Sequence, residues 1–192
     1  MTASETGNQA TLFVTNVLND TVAGAGAIVN EGTVVCINLD VSRNKKNKPV
    51  VQSMTVIGDS FAERTDPAAL VIGPTGVGFD KAQKVLYVAD TLSNRIAVIE
   101  DALDRTDSAL TGTTLTEGGS LNGPLGLVVT SNGHILTVNG GDGFITEITP
   151  QGDQVAKTQL DNSGAPPGAG ALFGLAFDPN DGVYFVDNAT NN

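Results

Sequence analysis

The sequence has one cysteine, Cys36, one histidine, His134, and no tryptophan. A single thiol rules out an internal disulfide, and one thiol with one imidazole cannot supply a Cys/His zinc site. Cys36 falls in the alternating run TVVCINL (33–39), which reads as a strand with a buried thiol, not a nucleophile. His134 follows an Asn132-Gly133 turn, and no second histidine exists to join it in general acid–base work. Positive charge is also scarce, with 10 Lys and Arg against 21 Asp and Glu and a net charge of −11. Such a surface repels phosphate backbones, so no nucleic-acid partner is expected. The one basic cluster, residues 43–48, reads as a solvated hairpin loop. No run of 18 apolar residues is available to span a membrane, and the polar first ten residues lack a signal peptide's apolar stretch. A Gly-x-Ser-x-Gly elbow, a phosphate-binding loop and an HExxH pair are all missing.

What the chain does contain is glycine, 23 residues of 192, set among abundant valine, threonine and asparagine. Val and Thr favour pleated surfaces, whereas Gly and Asn tolerate the left-handed conformations of tight turns. The composition therefore suits many short strands. One phrase recurs: Gly76-Val77-Gly78-Phe79-Asp80 returns as Gly126-Leu127-Val128-Val129-Thr130 and as Gly174-Leu175-Ala176-Phe177-Asp178, at spacings of 50 and 48 residues. A turn and a second strand follow each copy: VLYVAD (85–90), HILTVN (134–139) and GVYFVD (182–187). TLFVTN (11–16) is a further copy of that second strand. Third strands follow at TVVCINL, RIAVIE and FITEIT, and fourth strands at SMTVIGDSF and DQVAKTQL. No segment sustains a 3.6-residue apolar period. Four short antiparallel strands per unit of about 50 residues, repeated radially, describe an all-β fold, a β-propeller. The leading glycines then lie on innermost strands, where a crowded axis demands close backbone approach.

Residues 73–99, GPTGVGFDKAQKVLYVADTLSNRIAVI, resemble the NHL-repeat family of propellers. The shared features are a Gly/Pro-led strand, a tyrosine-bearing strand ending in Ala-Asp, and Asn-Arg before the next strand. The following unit, with NGGDGFITEITPQG (139–152), is similar to streptogramin lyase-type propellers. The resemblance implies three to four four-stranded blades, half of a six-bladed ring. It places a flexible segment at 1–10, a partial propeller at 11–192 and blade units at about 11–72, 73–122, 123–170 and 171–192. It also implies a secreted or periplasmic location. Three periods leave the ring open. The first reading of this is a piece of a longer protein, and the second is two copies joined head to tail.

In a propeller the loops that leave each second strand gather on one face, called here the upper face, around the central channel. Asn16, Asp90, Asn139 and Asp187 end the second strands, and Asn94, Arg95 and Asp142 follow in the adjoining loops. These seven are the candidate ligand-binding residues. A ring of such oxygen donors suits Ca²⁺, with Asp90, Asp142 and Asp187 as its ligands, though Asp and Asn at strand ends also serve simply to lock their own turns. Two inserts, 17–32 and 62–73, lengthen the upper-face loops and carry apolar residues (Val22, Ile28, Val29, Leu70) that either line a pocket or cover a blade edge. No catalytic set converges, so the first functional reading is a non-enzymatic binding or scaffold module for a protein or small-molecule ligand. The alternatives are a propeller lyase or hydrolase using bound Ca²⁺, and a self-assembling subunit, a homodimer or larger, paired through open blade edges.

Overall fold

The computed structural model describes residues 1–41, 48–67 and 70–188. The basic run at 43–48 lies outside these residues except for Lys48. Fifteen strands are seen among the described residues, grouped into sheets that follow chain order without crossovers. The first sheet is β1 (Thr2–Thr6), β2 (Gln9–Asn16), β3 (Val29–Asp40), β4 (Val50–Asp66) and β5 (Leu70–Ile72). The second is β6 (Pro74–Asp80), β7 (Val85–Asp90), β8 (Arg95–Ile99) and β9 (Thr113–Glu117). The third is β10 (Pro124–Val129), β11 (Ile135–Asn139), β12 (Phe144–Ile148) and β13 (Gln154–Gln159), and the fourth pairs β14 (Leu172–Asp178) with β15 (Gly182–Asp187). All pairings are antiparallel. The architecture is a β-propeller whose sheets do not close into a ring.

The repeat is reproduced in register as well as in sequence. Pro74 faces Asp90, Pro124 faces Asn139 and Leu172 faces Asp187, and a register shift follows each pair at the same place, before Val77, Leu127 and Leu175. Proline fits the first position of an inner strand because no ladder donor is needed there. The expected crowding of the inner strands is observed. A Cβ on Gly76 would stand 2.2 Å from the Leu125 carbonyl oxygen, and one on Gly126 would stand 2.4 Å from that of Phe173.

Alternation along the strands gives each sheet a backward face, turned to the sheet before it, and a forward face, turned to the sheet after it. Phe13 and Cys36 of the first sheet meet Val77, Leu86, Val88, Ala97 and Ile99 of the second. Tyr87, Ala89 and Ile96 on the second sheet's other face meet Leu127, Ile135 and Ile148 of the third, and Val138 meets Leu172 of the fourth. The core is thus a series of inter-sheet layers, in which each fully buried aliphatic contributes about 1.5–3 kcal/mol.

Two expectations are corrected and a third is completed. Residues 1–10 are not a flexible leader: Gly7-Asn8 is a two-residue hairpin turn that pairs Thr6 with Gln9, so β1 is the first sheet's inner strand and that blade begins before residue 11. The fourth strand expected of the second unit, which the sequence pattern leaves unplaced, is β9, whose TTLTE is rich in β-branched residues. The insert at 62–73 is largely strand, because β4 runs on to Asp66 and β5 folds back with Arg64 opposite Ile72.

Candidate functional site

The second-strand ends lie where the propeller pattern puts them, and the side chains of Asn16, Asp90 and Asn139 bond within the protein. Asp90 is buried, and its Oδ2 accepts from Arg95 Nε at 2.8 Å. Arg95 also donates to Thr114 Oγ1 at 2.8 Å and to the Thr111 carbonyl at 2.9 Å, so one guanidinium ties three points of the second sheet together. Asn94 donates to the Leu121 carbonyl and accepts from the Gly123 amide at 2.8 Å, bridging the second and third sheets. Asn139 donates to the Ser120 carbonyl at 2.9 Å, Asn16 donates to Asn19 Oδ1 at 2.9 Å, and Asp142 is paired with Lys157 at 3.0 Å. Lys157 in turn lies 4.2 Å from the Phe144 ring centroid. Arg95→Lys keeps the charge but loses the planar fork, and is expected to lower stability by about 1–2 kcal/mol in urea melts.

Among the described residues no three His, Cys, Asp or Glu side chains come together as a metal site. The residues present therefore do not fit the Ca²⁺ triad of Asp90, Asp142 and Asp187: the three aspartates stand on three different sheets, and the first two are already ion-paired. His134 sits at the opposite, lower face, its Nδ1 2.6 Å from Glu147 Oε1. Val22, Ile28 and Leu70 are exposed.

A concave feature of the upper face is a cleft of about 340 Å³ near the axis, lined by Asp66, Ile72, Thr91, Leu125, Phe173 and the Gly140-Gly141 backbone. None of the seven residues expected to bind ligand lines it. A Cβ on Gly140 would stand 2.6 Å from Leu125 Cδ1 and shift that side chain on the cleft wall. Below it a second cavity of about 310 Å³ shares Ile72, Leu125 and Phe173 and continues along Thr75, Gly76 and Gly126, so the two are levels of one axial channel. Thr91 Oγ1 donates to the Pro124 carbonyl at 2.7 Å and sits 2.9 Å from Thr75 Oγ1, fixing the rim between the second and third sheets. Asp66 is the carboxylate of the cleft, and Arg64 holds its Oδ2 at 3.0 Å. The arrangement offers apolar walls and one oriented carboxylate, the mixture typical of a small-molecule site.

The signals for this cleft were present but scattered. Ile72, Leu125 and Phe173 each adjoin the start of an inner strand, at or just before one of the three recurring glycine phrases.

The SMP-30/gluconolactonase/LRE-like region family model matches residues 9–166. No curated protein matches the chain in sequence. Among solved structures, streptogramin B lyase superposes with a TM-score of 0.50 at 14% identity, covering 94% of this chain and 54% of that one. Virginiamycin B lyase from Staphylococcus aureus, a catalytically inactive variant with quinupristin, gives a TM-score of 0.50 at 12% identity, covering 85% and 62%. Regucalcin from Agrobacterium tumefaciens, a calcium-binding protein, gives 0.43 at 17%, covering 90% and 50%. The chain spans about half the length of the structures it matches first. The two superpositions at a TM-score of 0.50 bear on the fold. They include the streptogramin-lyase type, and the family matched is the SMP-30/gluconolactonase/LRE-like one, the comparisons naming propellers but not NHL itself.

Proposed function

Since the chain belongs to the SMP-30/gluconolactonase/LRE-like family, we propose that it forms part of a propeller enzyme of hydrolase or lyase type that holds a small substrate over the axial cleft. The observation that carries this reading is the cleft itself, with apolar walls at Ile72, Leu125 and Phe173 and the carboxylate of Asp66 held by Arg64. A binding-only or scaffold role draws no support from the family, and the enzyme alternative fits it better. The family's description includes gluconolactonase, so a lactone is the substrate class to try first. Asp66 would accept a proton from water attacking the ring carbonyl.

The test is turnover of a panel of five- and six-membered lactones, followed as acid release. Asp66→Asn is expected to lower kcat/KM by roughly 100-fold. His134→Ala, on the lower face, should leave it unchanged. Equal turnover by wild type and Asp66→Asn, or no turnover of any lactone, would reject this assignment.

A further inference from the structure

The forward face of the second sheet carries Gly76, Gly78, Tyr87 and Ala89, with Gly78 opposite Tyr87 in register. The third sheet covers them completely: Tyr87 is 2% exposed and Ala89 0%. The same four positions in the fourth sheet are Gly174, Ala176, Tyr184 and Val186, with Ala176 opposite Tyr184. Here nothing covers them among the described residues, and Tyr184 is 53% and Val186 56% exposed. The glycines report the same difference. A Cβ on Gly76 or Gly126 would strike the next inner strand, whereas one on Gly174 would meet only Val186 Cγ2, at 3.5 Å.

The backward face of the first sheet is bare in the matching way. Leu12, Ile37 and Met54 stand side by side across β2, β3 and β4, and Val14, Val35 and Val56 form the parallel row. Their equivalents on the second sheet, Leu86 and Val88, are fully buried, but Leu12 and Val14 are half-buried and Met54 is 64% exposed. One molecule therefore presents two apolar sheet faces that correspond to the two sides of its own repeated inter-sheet layer. Contiguous apolar surface of this kind marks an interaction site.

We propose that a second copy of this chain docks on the fourth sheet, laying its Leu12–Val35–Val56 face against Gly174, Ala176, Tyr184 and Val186. The contact repeats the layers already present between successive sheets. It is heterologous, forward face to backward face, and it adds sheets by their faces and not by strand pairing at an edge. Streptogramin B lyase, whose matched part is 54% of its length, is nearly twice the size of one copy, so two copies supply a comparable amount of propeller. The axial channel gains as well. Gly174 is one of its lining residues, and the docked copy would wall the side that Gly174 leaves open.

Light scattering on a sizing column, over a dilution series of the full chain, tests this directly. The mass is expected to rise with concentration from 19.6 kDa towards twice that value. Val186→Asp on the forward face and Val35→Asp on the backward face should each remain at 19.6 kDa alone. Mixed together they should associate, because each supplies the face the other has lost. A wild-type mass of 19.6 kDa at every concentration would overturn the assignment and leave both faces to blades carried on a longer chain. Association that survives Val186→Asp, or a mixture that stays monomeric, would overturn the forward-to-backward geometry. Circular dichroism confirms that the variants are folded, and the wild-type mass decides the question even if one is not.

Discussion

Gly76→Ala is expected to cost at least ~3 kcal/mol, lowering the melting midpoint by roughly 10 °C or preventing folding, whereas Gly174→Ala should change stability by no more than ~0.5 kcal/mol. Both glycines open equivalent inner strands, and neither adopts a left-handed backbone, so intrinsic conformational preference does not separate them. What separates them is the neighbour. At Gly76 the new methyl would meet backbone atoms of β10, 2.2 Å from Leu125 O and 2.5 Å from Leu127 N. No rotamer change relieves that contact, and one whole sheet must move away from the next. At Gly174 the nearest atom is a valine methyl at ordinary van der Waals distance. Gly126→Ala, at 2.4 Å from Phe173 O, should behave like Gly76→Ala. Urea melts of the three variants check the order. A mild Gly76→Ala would mean that the inner strands are not fixed as close as described.

The second large effect concerns Glu63, which is fully buried near the upper end of β4, its two carboxylate oxygens without a hydrogen-bond partner among the described residues. Burial pushes its pKa from 4.5 up to about 7, and the negative charges of Glu31 and Asp20 push in the same direction. The folded state therefore holds this proton where the unfolded chain has already released it. Stability from this group is complete below pH 4.5, declines as pH rises and is lost above about 7. The total amounts to about 3 kcal/mol. Glu63→Gln cannot titrate, so its stability relative to wild type is expected to improve by about that amount between pH 4 and pH 8. Paired denaturant melts at the two pH values measure the difference. A constant offset between the two proteins would show that Glu63 ionises as it would in water.

Much of the fold could be read from the chain because a propeller writes its geometry locally. The Gly76, Gly126 and Gly174 spacing and the Asp or Asn at each second-strand end follow from contacts inside one blade or with its immediate neighbour. β1 was also legible in principle, through the Gly7-Asn8 hairpin signal, but a polar composition concealed it. The candidate cleft was not legible in the same way. Ile72, Leu125 and Phe173 come from three sheets and meet only because the sheets converge on an axis. Asp66 looked like part of an insert, and its place at the cleft depends on β4 running well past the expected strand. The conspicuous residues Asp90, Arg95 and Asn139 are engaged within the protein for a physical reason. A polar side chain that terminates a buried strand must satisfy its neighbours' backbone groups first.

The stacking of sheets in strict chain order has a consequence for how the molecule assembles and comes apart. Every layer joins a sheet to the one made just before it, as in a linear repeat protein, so no contact has to wait for a distant part of the chain. A chain emerging from synthesis can complete β1 to β5, then use that sheet's forward face as the template on which β6 to β9 condense, and so on. Opening runs in the reverse direction. In a single unassociated copy, β14 and β15 are covered on one face only among the described residues, so that is where its opening starts.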